Sequence, residues 1–97
     1  MDFEQLKTEY ADDYVAEAMY ARELEWFQYD FDRRNFQDMV DRMAEGPERE
    51  ALRERIRQIN TQIKIVEDVY ESLKNRVRSP EAHAAAVARV SAKRAAG

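Results

Sequence analysis

His83 is the only histidine of the chain, and Ser79 and Ser91 are the serines nearest to it in sequence. A serine nucleophile needs a base within hydrogen-bond reach and, in its commonest setting, a glycine-lined elbow. Neither serine has a glycine neighbour, because the only glycines are Gly46 and Gly97. The same two positions rule out a Walker loop or a dinucleotide fingerprint. Cysteine is absent, which removes thiol nucleophiles, thiolate zinc sites and disulfide scaffolds. His83 therefore reads as a surface residue of an alanine-rich helix, and no catalytic set is expected.

Carboxylates are the next candidates. Glu9, Asp13 and Glu17 form an i, i+4, i+8 ladder, followed by Glu23, Glu25, Asp30 and Asp32. A di-iron bundle takes a Glu from each of two helices and Glu-x-x-His from the other two. No Glu-x-x-His occurs here, and most of these acids flank an apolar stripe instead of sitting in it. They read as a solvated acidic face, with a carboxylate metal-binding bundle as the third-ranked reading and no cofactor expected.

Two basic groups could meet phosphates. Arg49, Arg53 and Arg57 form a row with Arg55 beside them, and Arg89, Lys93 and Arg94 cluster near the end. Glu48, Glu50 and Glu54 interleave the first row, and the chain carries 20 acids against 16 bases, a net charge of −4. A small nucleic-acid-associated regulator is thus the second-ranked reading. Arg89, Lys93 and Arg94 are its candidate contacts with an anionic partner. Membrane attachment is not expected: Val87 and Val90 are the only sizeable apolar residues of that tail, and the longest stretch without a charge is residues 82–88. The opening residues MDFEQLKTEY are acidic and amphipathic and do not read as a signal peptide, so the expected location is cytoplasmic, or inside a particle assembled there.

The elements that carry these residues follow from four punctuation marks, Gly46, Pro47, Pro80 and Gly97. They delimit a helix over 2–45, a helix over 47–79 and a short alanine-rich basic helix over 80–97. No sustained alternation announces a strand. In the first segment Phe3, Leu6, Tyr10, Tyr14, Ala18, Ala21, Leu24, Phe27, Phe31, Phe36, Met39 and Met43 recur about every 3.6 residues, the period of an α-helix. In the second, Leu52, Ile56, Ile59, Ile63, Val66, Tyr70, Leu73 and Val77 alternate steps of four and three, a heptad seam. Pro47 suits a first helical turn. Ser79-Pro80-Glu81 has the form of an N-cap, a proline at N1 and a first-turn acid.

The fold class expected is all-α: a long antiparallel, coiled-coil-like hairpin over 1–79, joined by a short link, with a third C-terminal helix, completed by oligomerisation into a bundle. Pairing the two stripes gives residue numbers that add to 94 or 95, as in Met39 with Ile56 and Leu24 with Tyr70. Residues 1–46 carry a net −8 and residues 47–79 a net +2, so the partners are complementary in charge. Five aromatics within residues 26–36 do not share one helix face. Val15, Met19 and Val40 extend the face of Trp26, Tyr29 and Phe36, and one partner helix cannot cover both sides. Exposed aromatics of this kind mark interfaces, so the expected contact set is Trp26, Phe27, Tyr29, Phe31 and Phe36 with the overhanging Phe3, Tyr10 and Tyr14. The third segment has the length to cover that overhang, or the turn at Ser79-Pro80 throws it away from the hairpin. The first-ranked function is a non-enzymatic structural or assembly protein, an oligomeric adaptor or accessory subunit, with a small helical component of a phage particle as its architectural analogue. Its partners would be further copies of itself or other subunits, with no small-molecule substrate.

Overall fold

The computed structural model describes residues 2–97 as three α-helices: α1 (Phe3–Arg42), α2 (Pro47–Lys74) and α3 (Pro80–Ala96). Each begins where local chemistry provides a start. The Asp2 carboxylate accepts from the Gln5 N–H at 2.7 Å, and the Ser79 hydroxyl accepts from the Ala82 N–H at 3.0 Å. These bonds satisfy donors that a helix start leaves open. Pro47 and Pro80 occupy the first turns of α2 and α3.

Two helices are shorter than their sequence segments. α1 stops at Arg42, where the Met43 N–H turns back to the Val40 carbonyl. Gly46 then takes φ 156° and ψ −179°, a backbone region open almost only to glycine. α2 stops at Lys74 instead of running to 79. A residue before proline is pushed out of the helical region, and Ser79 is extended at φ −161° and ψ 159°. The freed segment lets Arg78 swing back onto α1.

α1 and α2 form the antiparallel hairpin, but through the other face of α1. Most of the 3.6-period stripe expected to meet α2 is turned away from it, although Phe36 lies in the seam and Ala18 packs against the cluster of Val15, Met19 and Leu73. The seam consists of Asp12, Val15, Met19, Arg22, Trp26, Tyr29, Arg33, Phe36 and Val40, all buried or half-buried. Their steps alternate three and four without a break, so α1 carries a heptad matching that of α2. Aligning the two heptads gives residue numbers that add to 92, not 94 or 95. The surrounding contacts agree. Val15, Met19 and Leu73 form a buried cluster with Tyr70 and Val77 packed against it. Trp26 Nε1 donates to Glu67 at 3.3 Å, the Tyr70 hydroxyl to Glu23 at 3.1 Å, and Arg33 to Asn60 at 3.1 Å. The physical reason is angular position. At about 100° per residue Leu24, Phe27 and Phe31 lie roughly opposite Val15, Met19 and Val40, so one partner helix cannot cover both sets, and α2 takes the set with the longer matching heptad.

α3 packs on α1 and not on α2. Ala16, Ala86 and Val90 form the buried contact, and Ala86 is fully enclosed. Small side chains let the helices approach closely there. The overhang is left uncovered by α3: Phe3, Leu6, Tyr10 and Tyr14 remain exposed, with Arg76 over the Tyr14 ring at 5.7 Å and Lys7 over the Phe3 ring at 5.6 Å.

The molecule is long and thin, 65 × 27 × 17 Å, with a radius of gyration of 18.9 Å. A compact chain of this length has about 13 Å. The accessible surface is 7082 Å², against about 5,800 Å² for a folded monomer of the same mass.

Candidate interaction surface

α1 has two apolar faces because two periods run through one sequence. The heptad face meets α2, where Leu52, Ile56, Ile59, Ile63, Val66, Tyr70, Leu73 and Val77 are all buried or half-buried. The opposite face presents Leu24, Phe27 and Phe31 at 53%, 63% and 62% exposure, with Leu6 and Tyr10 further toward the N-terminus and Met39 toward the hairpin tip. Trp26 and Phe27, adjacent in sequence, mark the divide; their rings meet edge to face at 5.4 Å. Of the aromatics expected at an interface, Phe3, Tyr10, Tyr14, Phe27 and Phe31 are exposed. Trp26, Tyr29 and Phe36 occupy seam positions and are half-buried.

A groove of about 350 Å³ runs along one flank of the hairpin between Arg22, Trp26 and Phe27 of α1 and Val66, Glu67 and Tyr70 of α2. Burial and the hydrogen bond to Glu23 push the Tyr70 hydroxyl above its ordinary pKa. It stays a neutral donor and bridges the helices.

The basic tail is engaged within the chain. Arg89 Nε donates to Asp13 at 2.9 Å, and Lys93 Nζ lies 3.8 Å from the same carboxylate. The Arg94 guanidinium stacks on Tyr20 at 3.7 Å. One residue away, Arg78 grips the buried Asp12 carboxylate through Nε at 2.9 Å and Nη2 at 2.7 Å. Those bonds, opposed by burial, hold Asp12 below the usual carboxylate range, with Arg89 and His83 adding smaller favourable fields. Asp12 and Asp13 thus dock the α2–α3 turn and α3 onto α1. The sequence offered no sign of this: Asp13 looked like part of a solvated ladder with Glu9 and Glu17, and Asp12, the next position on the helix, points to a different neighbour.

The arginine row of α2 is likewise paired, Arg49 with Glu45, Arg53 with Glu45 and Glu50, and Arg57 with Glu50 and Glu54. The second buried acid of α1, Asp30, is paired with Arg33 and Arg34. Among the described residues, no three acidic or histidine side chains converge as a metal site would require. Likewise, no helix there is long and apolar enough to cross a membrane.

No family model, no curated protein and no solved structure matches this chain. The surface itself is the guide to what the protein does.

Proposed function

We propose that the protein is a non-enzymatic assembly module, an adaptor or accessory subunit of a larger helical complex such as a particle component. The observation that carries this reading is the outward face of α1, where Leu24, Phe27 and Phe31 stand exposed opposite the face that α2 covers. A contiguous apolar strip of this kind is a contact site for another helix. The thin shape supports the reading, since about 1,300 Å² of surface remains beyond what a compact monomer of this mass keeps. Function then lies in helix-on-helix burial. The α2 seam and the Asp12–Arg78 clasp stiffen α1, and the stiffened helix displays its second face.

A photo-crosslinking side chain placed at Phe27 in cells that make the protein tests this. The expected result is a discrete adduct from position 27 and none from the exposed Ser72 of α2. Equal, diffuse labelling from both positions, or none from either, contradicts the assembly reading.

A further inference from the structure

The outward strip of α1 also indicates what covers it. From Glu17 onward it carries its own heptad: Glu17, Tyr20, Leu24, Phe27, Phe31, Arg34 and Asp38. Its apolar centre is flanked by Glu9 and Glu17 on the N-terminal side and by Arg34 and Arg42 on the C-terminal side, where Asp38 lies between the two arginines and pairs with Arg42, and Asp30 pairs with Arg34. Two acids at one end and two arginines at the other are complementary to themselves when the strip is reversed. We propose that a second copy of this chain docks there, α1 against α1, antiparallel about a two-fold axis close to Glu25 and Trp26.

In that register, numbers across the interface add to 51. Leu24 meets Phe27 of the second copy, Tyr20 meets Phe31, Glu17 meets Arg34 and Glu9 meets Arg42, each twice by symmetry. Asp38 of the second copy falls opposite Asp13, a carboxylate already matched by Arg89 and Lys93. The like charges there are separated by two cations. A parallel pairing instead sets Glu17 on Glu17 and Arg34 on Arg34, which is repulsive. A stable interface removes about 800 Å² from each partner, and the elongated chain keeps about 1,300 Å² more surface than a compact monomer of its mass, so association has exposed surface to remove. The resulting dimer is a four-helix core with α1 and its copy at the centre and each α2 outside, while α3 borders the contact where Arg94 stacks on Tyr20.

This inference rests on the assembly reading, and its test separates the two. Sedimentation equilibrium of the purified full chain is expected to give twice 11.5 kDa. Phe27→Asp is expected to abolish the dimer at concentrations on the order of 100 µM with helix content unchanged. Two further variants address the register directly. Glu17→Arg and Arg34→Glu are each expected to raise the dissociation constant about tenfold or more, and the combined Glu17→Arg/Arg34→Glu chain to recover the wild-type value. Asp30 keeps Arg33 in the Arg34 variant. A wild-type monomer, a dimer that survives Phe27→Asp, or a combined variant that fails to recover overturns the proposal. A monomer in solution together with a crosslink to a different protein from position 27 overturns the second copy and leaves the assembly reading standing.

Discussion

Met19→Asp and Leu24→Asp put the same charge on opposite faces of α1, little more than a turn apart. Met19 is buried in the cluster with Val15 and Leu73. Removing it forfeits about 2–3 kcal/mol of apolar burial. The new carboxylate sits against Val15 and Leu73, and the Lys74 and Arg78 side chains that line the adjoining cleft offset only part of its desolvation, which costs several kcal/mol more. A total of about 5 kcal/mol or above equals the whole stability of many small domains, so this variant is expected to lose the hairpin. Leu24 is already 53% exposed. The same change there gives up about 1 kcal/mol, and the carboxylate stays in water. That variant is expected to keep its helix content and lose only self-association. Far-UV circular dichroism at low temperature, with urea unfolding where a baseline exists, reads both. A Leu24→Asp chain as unfolded as Met19→Asp, or a Met19→Asp chain that stays folded, refutes the assignment of the two faces.

Three further outcomes follow from particular contacts. Ala86 is fully enclosed against Ala16, so Ala86→Leu overpacks the contact by about 1–3 kcal/mol; α3 should detach, with faster tryptic cleavage after Arg89 and Lys93 and an unchanged α1–α2 melt. Asp12 is ionised below the usual carboxylate range in the folded chain. Its stabilisation is complete above the unfolded value near 4 and fades as pH falls through the depressed folded value. An Asp12→Asn chain should lack that component of the acid unfolding profile, and an unchanged profile counts against the clasp. Gly46 sits at φ 156° with no atom within 4 Å of a built Cβ, so Gly46→Ala should lose about 1–3 kcal/mol through backbone strain alone, seen as a lower urea midpoint at constant slope.

Much of the fold was legible because it is written in local chemistry. Pro47, Ser79 and Pro80 announce the helix starts, and the uninterrupted heptad of α2 announces a coiled-coil partner. The apolar pattern showed a second face of α1, through Val15, Met19, Trp26, Tyr29, Phe36 and Val40, but not that this is the face that meets α2. Its true seam contains Asp12, Arg22 and Arg33, which an apolar count skips, while six large aromatics of α1 stand exposed outside it, Phe3, Tyr10, Tyr14, Tyr20, Phe27 and Phe31. Matching the period of α2 would have narrowed the choice: the set from Asp12 to Val40 keeps the alternation of three and four over the longest run, and the outward set from Glu17 to Asp38 keeps it over a shorter one. The role of Asp12 and Asp13 depended on where the turn after Lys74 sends Arg78 and Arg89. That is a tertiary outcome with no local signature. Of the tail cations read as contacts for an anionic partner, Arg89 and Lys93 meet Asp13 of α1, and Arg94 meets the Tyr20 ring.

The absence of cysteine makes a single-cysteine accessibility scan along α1 the most direct test of the central claim, that one face of this helix belongs to α2 and the opposite face to another helix. Thiol labelling rates would be measured at positions 19, 24, 26, 27, 31 and 33 over a range of protein concentration. The account predicts slow labelling at 19, 26 and 33 at every concentration, and fast labelling at 24, 27 and 31 that becomes slow as concentration rises. Fast labelling at 19 and 26, or rates at 24, 27 and 31 that do not change with concentration, would contradict it.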